Sequence, residues 1–344
     1  MKKFKYILLL LLFLVVAASI YIATLENTYD VKRSIKIKAP VSVVYKQVID
    51  FKNWPSWSPW LQEDPETQLS YSEHTSGDGA TYSWKSGIIG EGKMETITAI
   101  PDDSISQRIE FLKPRDSKSD VYWVFKPLND STEVTWGMKG SMGFLDRAVI
   151  ALKGGMDKMV GPDYEKGLVN LDSVVQADMA RYSIVVDGIT RHGGGYYLYN
   201  TASCKIDELS KKMEAMMPVV VDYVQKNKIP MAGAAFTLYL KYDTENNAAI
   251  FSCAVPVTDR VITAPDSGVL TGYLNPFDAL KVTLKGNYTN LEKAWNTAMK
   301  YIADHNLKEA VNDPHLEVYP NSPENVPNPA DWVTEIYIPL EGQE

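Results

Sequence analysis

The sequence predicts an α+β protein with two domains behind an apolar N-terminal segment. Residues 30–178 read as a strand, a short helix, a meander of strands and a long closing helix. Residues 183–344 contain one pattern of helix, strand and strand twice, and residues 6–25 carry no charge. A length of 344 residues also favours two domains over one.

The N-terminal segment reads MKKFK followed by YILLLLLFLVVAASIYIATL. About 20 apolar residues form a helix of roughly 30 Å, which matches the thickness of a bilayer core. A cleaved signal peptide is the alternative, because Ala-Ala-Ser at 17–19 resembles a cleavage site, but the apolar run continues beyond it. We therefore predict a single-pass anchor within residues 1–29, with residues 6–25 in the membrane.

The lysines around this segment bear on its orientation. Lys2, Lys3 and Lys5 favour a cytoplasmic N-terminus, whereas the basic residues at 32–38 weaken that preference. Long domains cross a membrane largely regardless of their charge. The sequence thus predicts a cell-membrane protein with its body on the extracytoplasmic side.

Charge and composition exclude several classes of function. A net charge of -8 and a pI of about 5.2 argue against a nucleic-acid partner, which requires a basic surface. The spacing of glycines matches no nucleotide-binding motif. Cys204 and Cys253 could pair or remain buried thiols, and the four histidines form no cluster with them. We therefore predict no metal site and no cofactor.

The first domain begins with VKRSIKIKAP, which alternates apolar and basic residues as a half-buried strand does. Pro40 opens a short helix, and the tryptophan-rich stretch NWPSWSPW follows it. After the strands, residues 156–175 form a long helix in which apolar residues recur at helical spacing. This order predicts a helix-grip fold, an antiparallel sheet around a long C-terminal helix.

The stretch IKAPVSVVYKQVIDFKNWPSWSPW resembles the entry of the SRPBCC superfamily, which includes polyketide cyclase-like and START-related domains. The closing GPDYEKGLVNLDSVV is similar to the last helix of that family. The resemblance implies an apolar cavity for hydrophobic ligands between sheet and helix. Trp54, Trp57 and Trp60 either line such a cavity or face a membrane, or they pack locally between helix and strand.

The second domain contains an internal repeat. Its matching segments are YVQKNKI (223–229) with YIADHNL (301–307), FTLY (236–239) with LEVY (316–319), and FSCAVPV (251–257) with TEIYIPL (334–340). We therefore predict a pseudo-two-fold domain with one sheet backed by two helices. In this alignment Ser252 stands where Glu335 stands in the second half, so the fold itself does not require the carboxylate.

The segments GNYTNLEKAW, HLEVYP and WVTEIYIPL resemble the GyrI-like domains, also called AraC-type effector-binding domains. The resemblance implies a groove between the repeats that binds small organic molecules, with the glutamate of the last strand facing cationic ligands. That role falls on Glu335. The aromatic candidates around it are Tyr239, Tyr288, Trp295, Tyr319 and Tyr337.

Glu335 is unusual because the strand at 332–340 is apolar on both faces, which predicts that both faces are covered. A buried carboxylate is costly unless it is neutralised, paired with a protein cation or partnered by a ligand's charge. Surrounding aromatic rings would add cation–π attraction. The alternative is a glutamate that faces solvent or binds backbone amides. Glu317 is a weaker second acid, or a surface residue.

The sequence therefore favours a membrane-anchored binding or sensing protein for small hydrophobic, possibly cationic, molecules. Any sensing function would require a protein partner, since no DNA-binding segment precedes the second domain. The first alternative is a hydrolase with Glu335 as general base, although the sequence offers no clear second catalytic group. The second is a structural or interaction protein of the cell envelope with vestigial pockets.

Overall fold

The computed structural model describes residues 2–342, and the chain divides into two compact units, Met1–Ala177 and Asp178–Glu344. Each unit contains one antiparallel sheet with helices, which confirms the predicted α+β class. The outer ends of the predicted domains, at residue 1 and residues 343–344, lie outside the described residues.

The first unit has a seven-stranded sheet in the order β1-β7-β6-β5-β4-β3-β2. Its strands are β1 (Thr28–Ile37), β2 (Gln68–Tyr71), β3 (Thr81–Ser86), β4 (Gly90–Ile100), β5 (Ser104–Lys113), β6 (Ser117–Pro127) and β7 (Thr132–Ser141). Its helices are α1 (Lys2–Thr24), α2 (Val41–Ile49), α3 (Pro59–Glu63), α4 (Phe144–Leu152) and α5 (Met156–Met179). The long closing helix of the predicted helix-grip pattern is α5.

The helix α1 is long and apolar enough to cross a membrane between Lys3 and Thr24, and none of that span is buried inside the protein. A membrane anchor and a signal sequence cannot be distinguished by length and composition. The described residues therefore contain one candidate membrane segment.

Stacked aromatic rings fill the core of the first unit between the sheet and α5. Tyr164 of α5 stacks on Trp136 of β7 with ring centroids 4.1 Å apart, and Trp136 stacks on Trp123 of β6 at 4.5 Å. Trp54 and Trp57 pack edge-on against both tryptophans and are 1% and 0% exposed. The packing interpretation is thus confirmed for these two residues, and side chains occupy this part of the space where the resemblance implies a cavity.

The second unit has an eight-stranded sheet in the order β12-β9-β11-β10-β14-β15-β13-β8. Its strands are β8 (Ser183–His192), β9 (Gly195–Cys204), β10 (Phe236–Asp243), β11 (Ala248–Val257), β12 (Leu270–Leu274), β13 (Phe277–Lys285), β14 (His315–Val318) and β15 (Val333–Pro339). Its helices are α6 (Leu209–Lys226) and α7 (Leu291–Asp304). Cys204 and Cys253 are free thiols, and Cys253 is buried.

The strand pairing confirms the predicted repeat residue by residue. At the centre of the sheet Thr237 of β10 pairs with Glu317 of β14. Exchanging the two halves of the repeat converts each neighbouring pair of β10 and β14 residues into another observed pair. Ser252 pairs with Leu238 in the first half just as Glu335 pairs with Val318 in the second. Ser252 and Glu335 are therefore structurally equivalent, as the alignment predicts.

The ends of the two helices repeat the same turn. Lys228 and Asn306 both adopt a left-handed backbone conformation, with φ of 52° and 53°. Each is followed by an amide that donates to a carbonyl five residues back, Ile229 to Val224 and Leu307 to Ile302. Such a turn satisfies the free carbonyls at a helix C-terminus.

The strand β15 presents two different faces. Its residues Thr334, Ile336 and Ile338 are fully buried, and the two isoleucines pack in the cluster that includes Ala294 and Ala298 of α7. Glu335 therefore points to the opposite face, where it and its neighbours are only partly covered. The prediction that both faces are covered is correct for the helix face and wrong for the other.

The ring stack makes the first unit sensitive to truncation of Trp57. We expect Trp57→Ala to lower the free energy of unfolding of that unit by about 3–5 kcal/mol, because it removes a fully buried indole. Peptide-resolved hydrogen exchange of β6 and β7 in the full chain measures this. Ile88→Ala is the control, since Ile88 is 69% exposed and should change stability by less than about 0.5 kcal/mol. Equal effects of the two substitutions would contradict the role of the ring stack.

Candidate functional site

Glu317 of β14 lies on the helix face of the second sheet and is 2% exposed. Its carboxylate accepts hydrogen bonds from Trp295 Nε1 at 2.6 Å, Tyr319 Oη at 2.9 Å and Tyr239 Oη at 3.0 Å. The three donors come from α7, from the residue after β14 and from β10. Of the two alternatives for Glu317, a second acid of the site or a surface residue, the surface position is wrong, because the fold buries the carboxylate among these side chains.

Four of the six predicted site residues gather around Glu317. Besides the three donors, Tyr288 packs edge-on against Tyr319 with ring centroids 6.0 Å apart. Tyr239 and Trp295 are likewise perpendicular at 6.0 Å. The structure thus builds an aromatic enclosure, but its central carboxylate is Glu317 and not Glu335.

Burial raises the pKa of Glu317, while the hydrogen bonds from Trp295, Tyr319 and Tyr239 act in the opposite direction without cancelling it. Burial and the neighbouring carboxylate also raise the pKa of Tyr239 and Tyr319 well above the usual value for tyrosine. Both phenols therefore keep their protons and can donate to the carboxylate.

Glu335 and Tyr337, the other two predicted residues, lie on the opposite face of the sheet. Lys281 Nζ of β13 donates to Glu335 Oε1 at 2.7 Å, and Tyr337 Oη donates to Glu335 Oε2 at 2.9 Å. Burial lowers the pKa of Lys281, but the hydrogen bond and charge of Glu335 outweigh it, so the net shift is upward. Lysine and glutamate thus form an ion pair at neutral pH.

A cavity of about 240 Å³ opens on this second face. Its apolar walls include Phe236, Leu274 and Val318, and its rim includes His192 and the glycines at 193–195. Glu335 is the cross-strand neighbour of the wall residue Val318 and lies on the same face of the sheet. His192 also packs edge-on against Tyr337 with ring centroids 5.1 Å apart.

Lys281, at Glu335, and His192, at the cavity, were not predictable as site residues from the sequence. Burial lowers the pKa of His192, and the charge of Glu335 only partly offsets this, so its imidazole is neutral at pH 7. Lys281 lies 54 residues before Glu335. The alternation of residues in ALKVTLK predicts a strand, but it does not predict which strand pairs with it.

Residues 197–341 match the family described as GyrI-like small molecule binding domain, and residues 28–176 match the family described as polyketide cyclase / dehydrase and lipid transport. The chain thus carries an SRPBCC-type domain followed by a GyrI-like domain, which confirms both resemblances.

Several solved structures are similar to parts of the chain. The crystal structure of the EcmrR C-terminal domain is 17% identical at a TM-score of 0.40, covering 47% of this chain and 99% of that one. The crystal structure of TTHA0849 from Thermus thermophilus is 17% identical at a TM-score of 0.33, covering 43% and 98%. No curated protein matches the chain.

The raised pKa of Glu317 predicts a specific dependence of stability on pH. Because the folded state holds the proton more tightly than the unfolded chain, the contribution of Glu317 is greatest below its unfolded pKa of about 4.3 and is lost as pH rises through the folded value. Urea unfolding of the full chain from pH 4 upward, with and without Glu317→Gln, measures this difference.

We expect the stability of the parent relative to Glu317→Gln to decline with rising pH, by at most about 1.4 kcal/mol per unit of pKa shift. Glu292→Gln, on the exposed side of α7, is the matched control. Parallel stability curves for the parent and Glu317→Gln would contradict the inferred shift.

Proposed function

We propose that this chain is a membrane-anchored binding or sensing protein whose C-terminal unit holds a small, largely apolar organic molecule beside Glu335. The cavity on the second face of the sheet carries the proposal. It is lined by aromatic and aliphatic side chains, one of its wall residues pairs across strands with Glu335, and it lies in a domain matched by a small-molecule-binding family.

The ligand's charge depends on the pair formed by Lys281 and Glu335. With Lys281 in place the carboxylate is already neutralised, so the wall favours neutral apolar molecules. An amine would bind by replacing Lys281 at Glu335, with Tyr337 beside it for a cation–π contact. The preference for cationic ligands is therefore expected to be limited by the lysine.

Glu317 is better suited to supporting the sheet than to contacting a ligand. It is 2% exposed, and three protein donors already satisfy it. A ligand that reached this carboxylate would have to displace Tyr239, Trp295 or Tyr319. Three of the aromatic residues predicted as ligand contacts, Tyr239, Trp295 and Tyr319, thus bind Glu317. The proposed ligand contacts are Glu335 and Tyr337 together with the cavity walls.

Under this proposal α1 remains attached and holds both units at the extracytoplasmic side of the cell membrane. Its apolar surface is exposed along its length, which suits contact with lipid. A ligand-dependent signal would then pass to a protein partner at the membrane.

The ligand site can be tested with the full chain in lipid nanodiscs. We expect hydrophobic amines and neutral analogues of the same skeleton to raise the thermal stability of the second unit, by about 2.7 kcal/mol at a hundredfold excess over Kd. Lys281→Met should strengthen amine binding, since it leaves the carboxylate unpaired, and adding Glu335→Gln to Lys281→Met should abolish that gain.

Gly233→Leu tests whether the cavity itself is the site. Gly233 lines the cavity, and a Cβ there would lie 3.5 Å from Pro256 Cγ, so a larger side chain fits the backbone and fills the space. It should abolish stabilisation by every ligand. Gly87→Leu is the control, because a Cβ at Gly87 meets no atom within 4 Å. Undiminished stabilisation of Gly233→Leu would place the ligand elsewhere.

A further inference from the structure

The short helix α4 carries an apolar stripe that the first unit does not cover. None of its residues is buried. Leu145, Val149 and Leu152, spaced at i, i+4 and i+7, are 67%, 47% and 90% exposed. Residues at this spacing share one side of a helix. The side away from the rest of the unit is therefore the apolar one.

The fold places α4 at the point where α1 ends. Arg147 Nη1 of α4 donates to the carbonyl oxygen of Leu25 at 3.0 Å and to that of Ala23 at 3.4 Å. The amide of Met142, just before α4, donates to the carbonyl of Asn27 at 2.7 Å. These contacts join the start and body of α4 to the last turn of the candidate span and the residues after it.

The depth of this junction follows from α1. Tyr21 is 63% exposed one turn before the end of the helix, and Tyr6 is 69% exposed near its start. Tyrosine favours the level of the lipid headgroups at both sides of a bilayer. If Tyr21 marks that level, the carbonyls bound by Arg147 lie at the membrane surface, and α4 lies there with them.

We propose that α4 is an interfacial helix that lies along the bilayer surface, with Leu145, Val149 and Leu152 inserted at the boundary between headgroups and acyl chains. A lipid surface fits this stripe because α4 is fixed to the membrane end of α1, so the apolar side chains face lipid without any further partner. The inference rests on the proposed anchoring of α1. It adds a second contact, which fixes the orientation of the first unit on the membrane.

Nitroxide labels on the full chain, reconstituted in nanodiscs of phosphatidylcholine and phosphatidylglycerol, test this inference. Leu152→Cys probes the stripe, Leu10→Cys probes α1, and Ile262→Cys, 94% exposed in the second unit, is the aqueous control. Cys204→Ser provides the background. The remaining Cys253 is buried, and burial raises its pKa to about 12, so it does not react with the label.

We expect the ratio of collisions with oxygen to collisions with a water-soluble nickel chelate to be severalfold higher at residues 10 and 152 than at residue 262. A membrane value at residue 10 with an aqueous value at residue 152 would overturn the interfacial helix and leave the anchor intact. Aqueous values at both positions would overturn the anchor and the helix together. Shielding of residue 152 from both reagents would show that protein covers the stripe, which also overturns the inference.

Discussion

The register between β10 and β14 determines the site in the second unit. Thr237 and Glu317 pair at the centre of the sheet, so both point to the helix face, where Tyr319 Oη bonds to each of them. The neighbouring Val318 then points to the opposite face and lines the cavity beside Glu335. A slip of one residue in a strand exchanges its two faces. It would expose the carboxylate of Glu317 and close the cavity, so packing on both faces holds this register.

The two halves of the repeat share their backbone arrangement, but equivalent positions carry different side chains. Where the second half has Glu335, the first has Ser252, whose hydroxyl lies 2.7 Å from that of Thr201. Where the second half has Glu317, the first has Thr237. Both carboxylates thus belong to one half. In the first half, the hydroxyl of Ser252 is satisfied by Thr201, and that of Thr237 by Tyr319 of the second half.

Much of this architecture could be predicted from the sequence, because helix spacing, strand alternation and the repeat are local patterns. The alignment of FSCAVPV with TEIYIPL was sufficient to place Ser252 at the position that Glu335 occupies in the second half. The site could not be predicted in the same way. Alternation shows that β15 has two faces and does not show which one meets α7. The partner of Glu335 is 54 residues away, and those of Glu317 come from separate elements.

The contacts of the tryptophan-rich stretch could not be predicted from the sequence either. Trp54 and Trp57 are close in sequence, but the rings they meet belong to β6 and β7. Only the assembled sheet shows that these rings fill the space beside α5. The second unit retains a cavity on the face that its helices leave free.

In the proposed function, the pair of Lys281 and Glu335 contributes more to ligand selectivity than to the stability of the fold. Their side chains are 23% and 22% exposed, and partly exposed ion pairs of this kind stabilise a fold by about 1 kcal/mol or less. The pair does, however, neutralise the charged part of the cavity border and ties the carboxylate to a fixed geometry with Tyr337. Under the proposed function, a cationic ligand must therefore compete with a tethered ammonium group, whereas an apolar ligand meets a wall without net charge. In that proposal Lys281 sets which ligand charge the site accepts, although Glu335 is the residue that the sequence indicates.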